Sequence, residues 1–441
     1  MTRLISWLLN IVYLALLAIC APFVAWAAIR TGKYRDGYAH KLLGLVPRRE
    51  GDAACVWLHA VSVGEVNLIA TILRQLRAAH PDWDFVVSTT SRTGYELATI
   101  KYSDLTVFYC PLDLSWAVRT AVRRIRPTML VLAELELWPN LILAAKSAGA
   151  RVAILNGRMS DHSFPGYLRF RPLVAQLLSQ IDLIAAQNEE SADRFRALGA
   201  PAERVQVTGS LKYDGAQTDR ANPRTIALRQ LAGFADDDVV LLAGSTQEPE
   251  ERYSLETYRQ LSVTHPRLRL VLVPRHPERF EAVAELLEQS GIDWRRRSQL
   301  ASGPSREPTA RRPILLVDTV GELGAWWGAA TIAFVGGSFG PRGGQNMIEP
   351  AAYGAAVSFG PNTRNFRDVV AALLAAEGAV VVRSAAELEA FVRRCLEEPE
   401  WAASLGANAQ ALVRSQLGAT ERTLRLVESL LPQASARRSA A

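Results

Sequence analysis

The sequence predicts an α/β protein built from two doubly wound parallel halves, with a hydrophobic helix at the N-terminus. Short apolar segments of strand length alternate with segments of helical periodicity, and this alternation occurs twice. A polar stretch without strand character, residues 213–223, separates the two series. The length of 441 residues also exceeds what one hydrophobic core usually organises. We therefore expect four segments: an anchor over 1–30, an N-terminal domain over 31–222, a C-terminal domain over 223–415, and a helix with a flexible tail over 416–441.

Apolar runs bounded by polar turns define the strands of each half. Because such runs are apolar throughout and separated by helices, they indicate parallel sheets covered on both faces. Predicted strands of the first half are 54–59, 85–88, 105–109, 128–132, 151–155 and 183–186, with helices over 66–79 and 140–147. Those of the second half are 239–243, 268–273, 314–318, 332–335, 355–359 and 379–382, with a helix over 277–290, a surface loop around one strand over 289–312, and an all-helical end over 385–431.

Composition restricts the class of protein. Hydrophobic residues make up 49% and charged residues 21% of the chain, which is typical of a folded protein, and only the tail 432–441 is expected to fray. A net charge of +6 suits an anionic partner: nucleic acid, an acidic membrane surface or a phosphorylated substrate. The four cysteines are scattered, so neither a zinc site nor a disulfide framework is indicated, and a reducing compartment fits: Cys20, Cys55, Cys110 and Cys395.

The N-terminus carries an apolar run. Residues 6–29 contain no charged side chain, and a helix of that length can cross a bilayer, so we predict a membrane anchor. A cleaved signal peptide, with cleavage near 25–27, and a helix lying in the membrane interface are the alternatives. Basic residues follow the run, which by the positive-inside tendency leaves the rest of the chain in the cytoplasm: Arg30, Lys33, Arg35, Lys41, Arg48 and Arg49.

Candidate catalytic residues of the first half lie where strands end. Glu65 follows the strand 54–59 and falls in the first turn of a helix, where the helix dipole stabilises a carboxylate, so it is a candidate general base or an ordinary helix-start acid. Ser62 and Gly64 beside it are candidate donor or phosphate contacts. Glu134 and Glu136 straddle the end of the strand 128–132, so one of them is expected to reach the site and the other to brace a loop. Lys212 suits a substrate carboxylate or phosphate, or is a solvated surface charge.

In the second half, several strand-to-helix junctions suit an anionic nucleotide. Pro274 and Arg275 precede a helix N-terminus and together form a candidate anion cradle, whereas His276 has no partner at metal-ligand spacing. Further junctions with free backbone N–H groups lie at Val320-Gly321-Glu322 and at Gly337-Ser338. In the glycine-rich stretch 343–352, Glu349 suits the two hydroxyls of a ribose, although such a loop is also common as plain structure. The acidic run 236–238 is expected to be a solvated turn rather than a metal site.

These segments, in this order, resemble the family of 3-deoxy-D-manno-octulosonic acid (Kdo) transferases of lipopolysaccharide assembly. The resemblance covers nearly the whole chain and lies in HAVSVGE (59–65), ELELWPN (134–140), AAQNEE (185–190), GSLKYD (209–214), PRHPERF (274–280), DTVGEL (318–323), FVGGS (334–338) and NMIEPAAYG (346–354). It implies a GT-B fold of two Rossmann-like domains facing across a cleft. It also implies inverting, metal-independent and cofactor-free transfer of Kdo from CMP-Kdo to the lipid A precursor lipid IVA, at the cytoplasmic face of the inner membrane.

The resemblance also implies roles for individual residues. Glu65 is then the base that deprotonates the acceptor hydroxyl, and Glu134 and Lys212 stabilise the transition state. Residues at CMP-contacting positions of the family are Pro274, Arg275, Val320, Gly321, Glu322, Asn346, Met347, Ile348 and Glu349. The chain departs from the family pattern on either side of Asn346, where Gln345 and Met347 replace a histidine and a proline.

Two other functions compete with this hypothesis. One is a different GT-B glycosyltransferase or a sugar-nucleotide epimerase that uses a UDP-sugar, which a cytosine-selective pocket would exclude. The other is a catalytically silent membrane scaffold that binds anionic glycolipid, which the presence of both Glu65 and Lys212 disfavours. Partners expected under the favoured hypothesis are CMP-Kdo, the lipid acceptor and the inner membrane, and no nucleic acid.

Overall fold

The computed structural model describes residues 2–31, 36–300 and 313–431. Contacts divide the chain into two compact units: unit 1 is Met1–Asp214 with Leu417–Ala441, and unit 2 is Gly215–Gln416. Lys33 and Arg35 of the predicted basic stretch, residues 301–312 of the predicted surface loop, and the tail 432–441 lie outside the described residues.

Unit 1 contains a sheet of seven parallel strands in the order β3-β2-β1-β4-β5-β6-β7. Its strands are β1 (Cys55–His59), β2 (Asp84–Thr89), β3 (Thr106–Tyr109), β4 (Met129–Ala133), β5 (Arg151–Gly157), β6 (Leu183–Ala186) and β7 (Val205–Val207). Its first nine helices are α1 (Thr2–Thr31), α2 (Tyr38–Leu43), α3 (Val63–Ala79), α4 (Arg92–Lys101), α5 (Ser115–Ile125), α6 (Pro139–Ser147), α7 (Phe164–Arg169), α8 (Arg171–Leu178) and α9 (Glu189–Ala197).

Unit 2 contains a second sheet of seven parallel strands in the order β10-β11-β9-β8-β12-β13-β14. Its strands are β8 (Val239–Thr246), β9 (Leu268–Pro274), β10 (Trp294–Arg296), β11 (Ile314–Leu316), β12 (Ile332–Val335), β13 (Ala356–Phe359) and β14 (Ala379–Val381). Its helices are α10 (Pro223–Leu231), α11 (Glu250–Leu261), α12 (Phe280–Ser290), α13 (Leu323–Trp326), α14 (Ile348–Ala352), α15 (Arg367–Ala375), α16 (Ala385–Glu397) and α17 (Pro399–Gln416); α18 (Ala419–Ser429) follows.

The two predicted parallel sheets are confirmed, and every predicted strand is present within three residues at either end. Only β7, a three-residue edge strand with the polar Gln206 at its centre, lacked a prediction, because so short a run shows no periodicity. The end predicted as one helical stretch is three helices. Pro399 starts α17 and Gly418, with φ +83°, precedes α18, so the chain turns at both points.

The first sheet is buried on both faces. One layer of the core contains Trp57 and Leu130, and the other contains Leu58 and Val131, as expected for apolar strands covered by helices on each side. The last helix, α18, belongs to the second layer, where Val427 is fully buried. Unit 1 is therefore closed by a segment that comes after the whole of unit 2 in the sequence.

The N-terminal apolar run forms α1, which contains Pro22. Among the described residues, no helix combines the length and the apolar character that crossing a membrane requires. The predicted anchor stays a prediction. Two polar residues of α1 bind α5 and the residues just before it: Asn10 exchanges hydrogen bonds with Ser115 (2.8 and 2.9 Å), and the Tyr13 hydroxyl donates to Asp113 (3.2 Å).

The acidic run 236–238 is not wholly a solvated turn, and that expectation is wrong for its last residue. Asp238 is buried and accepts a hydrogen bond from Arg269 at 3.0 Å, with the two side chains 0% and 6% exposed. Arg269 also lies over the ring of Phe234, 5.1 Å from its centroid. In contrast, Asp237 pairs with Arg267 in solvent, where the side chains are 50% and 65% exposed.

Arg269→Met should lower the free energy of unfolding of unit 2 by roughly 3–5 kcal/mol, because it removes the arginine that pairs with a buried carboxylate. Arg267→Met is the matched control and should change it by less than about 1 kcal/mol, since exposed pairs contribute little. Urea titration followed by circular dichroism measures both. Equal losses in the two variants would show that burial of the Asp238 pair has no energetic consequence.

Candidate active site

Glu65 is fixed by a reciprocal cap at the start of α3. The Ser62 hydroxyl accepts from the Glu65 backbone N–H (3.3 Å) and donates to Glu65 Oε1 (2.8 Å), while the Val61 N–H donates to Oε2 (2.8 Å). The arrangement is a variant of the capping box, in which the glutamate accepts from the N–H of Val61, the residue before the N-cap Ser62. The carboxylate is thereby held at the carboxyl end of β1, where loops of a parallel sheet gather.

Burial dominates the acidity of Glu65. The residue is 8% exposed, and desolvation raises its pKa to about 7 against the two hydrogen bonds, which lower it. The negative charges of Glu136 and Glu134 raise it further. A carboxyl group with a pKa near neutrality is half ionised at physiological pH, as a general base requires.

Glu134 and Lys212 form an ion pair. Their charged atoms lie 3.0 Å apart, and both side chains remain partly exposed at 26% and 30%. Glu134 has a φ of +55°, a conformation that costs a residue with a side chain roughly 1–2 kcal/mol. Its N–H donates to the carbonyl of Leu155 (2.9 Å), which holds the residue in this conformation at the end of β4.

Glu136 braces the loop between β4 and α6. Its carboxylate accepts from the indole N–H of Trp138 (2.7 Å), and burial raises its pKa. Glu136 is thus the one of the two glutamates that braces the loop, and the expectation that the other, Glu134, reaches the site stays a prediction. Both carboxylates nevertheless lie close enough to Glu65 for their charges to raise its pKa.

Lys212 is positioned by Asn156. The N–H of Leu211 donates to the Asn156 side chain (2.9 Å), and Asn156 is fully buried with φ +57°. Asparagine tolerates this left-handed conformation better than most residues. Asn156 therefore ties the loop after β7 to the end of β5, a role that sequence patterns did not indicate.

His59, which opens the same motif as Glu65, is a core residue. It is fully buried, its Nδ1 lies 2.9 Å from the Ser88 hydroxyl, and burial lowers its pKa to about 4. At neutral pH the ring is therefore uncharged. The ring also meets Trp138 edge-on at 6.1 Å, so it supports the loop that carries Glu136.

Asp113 is a further residue that sequence reasoning missed. It is 3% exposed and accepts from the N–H groups of Asn140 (3.0 Å) and Leu141 (2.8 Å), the first turn of α6. Burial raises its pKa to about 7. Because Asp113 lies 27 residues before Asn140, no local capping pattern revealed it.

In unit 2, Arg275 and Glu349 come together. Arg275 follows β9, and its N–H donates to the carbonyl of Thr246 (3.0 Å). Burial raises the pKa of Glu349, whereas the Asn346 amide (3.0 Å), the charge of Arg275 and the Trp327 side chain lower it. A half-buried carboxylate beside an arginine and an indole suits a ligand that offers hydroxyl groups and a negative charge.

Glu322 is held in a network of its own. Arg297 donates to it through two bonds (3.0 and 2.8 Å), the Thr319 hydroxyl through one (2.7 Å), and the Trp326 indole through another (3.3 Å). Val320 beside it is 78% exposed, and Gly321 has φ +88°. The loop is thus a rigid turn that presents an uncovered apolar side chain.

Other predicted contacts are occupied by the protein itself. Buried Glu250 accepts from the N–H groups of Gly337 (2.7 Å) and Ser338 (2.8 Å), so a phosphate would have to displace it from both. The Ser338 hydroxyl donates to Val335 (2.8 Å). Ser62 is engaged with Glu65, whereas Gly64 is exposed and has room for a side chain.

Met347 and Ile348 are core residues, 0% and 2% exposed, so a ligand can meet only their backbone. Pro274 ends β9 and is buried as well. Gln345 lies against Gly337, where an added Cβ would approach its side chain to 3.1 Å. The two departures from the family pattern, Gln345 and Met347, therefore pack within unit 2.

No group of three or more histidine, cysteine, aspartate or glutamate side chains within the described parts of the chain is arranged to hold a metal ion. The polar groups that converge are instead carboxylates paired with cations and backbone N–H donors.

Comparison with known structures places the fold in a class. MurG from Acinetobacter baumannii superposes with a TM-score of 0.55 at 14% sequence identity, covering 85% of this chain and 99% of that one. Two parallel seven-stranded sheets with polar groups at the carboxyl ends of their strands are the plan of GT-B-like α/β proteins.

Sequence comparison identifies the family. The family described as 3-deoxy-D-manno-octulosonic-acid transferase (kdotransferase) matches residues 35–215. The 3-deoxy-D-manno-octulosonic acid transferase of Haemophilus influenzae is 33% identical over 430 residues, 95% of this chain and 98% of that protein. The corresponding protein of Bordetella pertussis is 34% identical over 386 residues, 86% and 88% of the two chains. The chain belongs to the Kdo transferase family.

Asp113→Ala should lower the free energy of unfolding by roughly 2 kcal/mol or more, because it leaves two buried N–H groups of α6 without acceptors. Asn188→Ala removes an ordinary cap, the side chain that accepts from the Ser191 N–H at 2.8 Å, and should cost about 1 kcal/mol. Urea unfolding compares the two. A smaller loss for Asp113→Ala than for the control would contradict the buried cap.

Proposed function

We propose that the protein is an inverting glycosyltransferase that moves Kdo from CMP-Kdo to the lipid A precursor lipid IVA in assembly of the lipopolysaccharide inner core. The observation that carries this proposal is Glu65, a buried carboxylate with a pKa of about 7 held by Ser62 and Val61 at a strand end. Membership of the Kdo transferase family supports Kdo as the transferred sugar. The resemblance of motifs supports CMP-Kdo as the donor and lipid IVA as the acceptor.

The proposed reaction is a single displacement at the anomeric carbon of Kdo. An acceptor hydroxyl transfers its proton to Glu65 as its oxygen forms the new bond to that carbon. The bond from the carbon to the phosphate oxygen breaks, and its electron pair leaves with CMP. Attack from the face opposite the leaving group inverts the configuration, and no covalent intermediate with the protein is needed.

Cationic groups offset the charge that develops. The Kdo centre gains oxocarbenium character while negative charge grows on the phosphate of CMP. Lys212, held by Glu134 at 3.0 Å, is proposed to stabilise charge on the sugar side, and Arg275 charge on the phosphate. CMP has one phosphate, so arginine and lysine can take the part that a divalent cation has with diphosphate donors.

Unit 2 is proposed to bind the nucleotide. Glu349 would accept from the ribose hydroxyls, replacing its bond to Asn346, and backbone groups of 346–348 and 320–322 would meet the rest of CMP. The rigid network around Glu322 supports this role, because a preorganised turn loses little entropy on binding.

We also propose that the protein is attached to the cytoplasmic face of the inner membrane through α1. Large apolar side chains along this helix are exposed, among them Trp7 (68%), Ile19 (75%) and Ile29 (77%), whereas Asn10 and Tyr13 bind α5 and the residues just before it. A helix with that distribution suits contact with lipid on its free side.

The pH dependence of kcat/KM should report the ionisation of Glu65. Because its pKa is about 7, kcat/KM should rise about tenfold per pH unit below 7 and level off above it. The free energy of unfolding changes with pH in the opposite direction. Because folding raises the pKa of Glu65, this residue stabilises the folded protein fully below about pH 4.5, its pKa in the unfolded chain, and the stabilisation is lost as the pH rises through 7.

Glu136→Gln tests whether the acid limb of the pH profile, the rise of kcat/KM below pH 7, reports the ionisation of Glu65. The amide still accepts from Trp138 but removes a charge that raises the pKa of Glu65, so the limb should move to lower pH while burial keeps it above 4.5. Initial rates at saturating donor across pH 5–9 measure it. A limb that stays in place would mean that another group is titrating.

Glu65→Gln should lower kcat by about a hundredfold or more while the protein stays folded and binds CMP, since general-base catalysis contributes roughly 10²–10⁴. Product from the wild type, identified by mass, should persist in a chelator. Glu96→Gln, an exposed residue paired with Arg92, is the control and should be fully active. Unchanged activity of Glu65→Gln would eliminate Glu65 as the base.

A further inference from the structure

Unit 1 contains a small apolar cavity of about 180 Å³. It lies among α1, the loop between β4 and α6, α6, α7 and α8, and its walls include Leu137, Pro139, Tyr167, Leu173 and Val174. Besides the hydroxyl-bearing Tyr167, the polar residues that line it are Gln176 and Gln180, and no charged side chain of the described residues takes part. An aliphatic cavity of about 150 Å³ is known to stay dry and to take up an apolar molecule as large as benzene.

The cavity shares its wall with the catalytic loop. Leu137 lies in the loop that also carries Glu134 and Glu136, and Pro139 begins α6 where that loop ends. Leu137, together with Tyr167 and Val174 on the opposite side, packs against the core of unit 1. The walls are therefore anchored, and whatever occupies the cavity is held beside the loop that pairs with Lys212.

The surface beside the cavity is amphipathic. Leu173 of α8, which lines the cavity, and Phe170, which precedes α8, are 57% and 59% exposed, so apolar side chains are open to solvent next to the cavity. Two exposed arginines, Arg169 and Arg171, flank Phe170, and the Nε of Arg171 donates to the carbonyl of Ala197 (2.8 Å). Apolar surface beside cationic groups is complementary to a molecule that has both a hydrocarbon chain and phosphate groups.

We propose that this cavity receives a segment of one acyl chain of the lipid acceptor and so positions the acceptor sugar at the catalytic loop. The proposal rests on the proposed function, since it assigns part of the acceptor to a place in unit 1. The cavity wall is continuous with the loop that carries Glu134. This favours an acyl chain of the substrate as the occupant, because the acceptor must lie next to that loop during transfer, whereas a bulk membrane lipid need not.

The cavity should make acceptor binding depend on chain length. Each methylene that enters an apolar site strengthens binding by about fourfold, and the gain ends when the cavity is full. KM for the acceptor should thus fall over a few methylenes and then level off, while kcat changes little.

Two variants change the cavity by different means. Leu173→Gln makes one wall polar at an exposed position, which leaves the fold intact, and Val174→Trp fills the space. Leu168→Gln changes an exposed residue of α7 (45%, against 57% for Leu173) that does not line the cavity, and Ile100→Gln changes an exposed residue of α4. Steady-state transfer to acylated and de-acylated acceptors, in detergent, is measured for all four and the wild type.

Leu173→Gln and Val174→Trp should raise KM for the acylated acceptor about tenfold and leave transfer to the de-acylated acceptor unchanged, while both control variants behave as wild type. Equal effects of Leu173→Gln and Leu168→Gln would indicate general adsorption to the lipid surface and overturn the proposal. Wild-type KM in both cavity variants would overturn it too. Absence of transfer by the wild type would instead refute the proposed function.

Discussion

Backbone N–H groups in loops and at helix starts need acceptors, and in this protein side-chain carboxylates supply them. Glu250 accepts from the loop after β12, Asp113 from the first turn of α6, and Asp214 from Gly418 (2.8 Å) and Thr420 at the start of α18. Each carboxylate and its donors lie far apart in the sequence. The loops that bear functional residues are thus held by long-range bonds, whose loss would leave buried polar groups unpaired.

Glu65 belongs to the same set but differs in two respects. Its partners, Val61 and Ser62, are local, and the charges of Glu134 and Glu136 act on it. Two hydrogen bonds lower its pKa, and burial more than offsets them, so the group is both fixed in place and near neutrality in its ionisation. A capping carboxyl group that is partly ionised at neutral pH can accept a proton and is therefore suited to act as a base.

The loop from Glu134 to Trp138 is the point at which these constraints meet. Asp113 caps the helix that follows the loop and also accepts from Tyr13 of α1, while Glu136 and His59 steady Trp138. A displacement of α1 would therefore move Asp113, and through its hydrogen bonds to the start of α6 it would shift the loop. In the proposed function this links the membrane-contacting helix to the residues that stabilise the transition state.

The sequence by itself determined the two sheets, nearly every strand and the motif positions, because apolar periodicity and strand-end residues are local properties. It located Glu65 but left open whether that residue was a base or an ordinary cap, since its pKa depends on burial. Tertiary structure alone decided that Gly337 and Ser338 donate to Glu250, 87 and 88 residues earlier, and that Asp238 is buried. Desolvation and long-range hydrogen bonds arise only when distant segments pack together, so no local pattern encodes them.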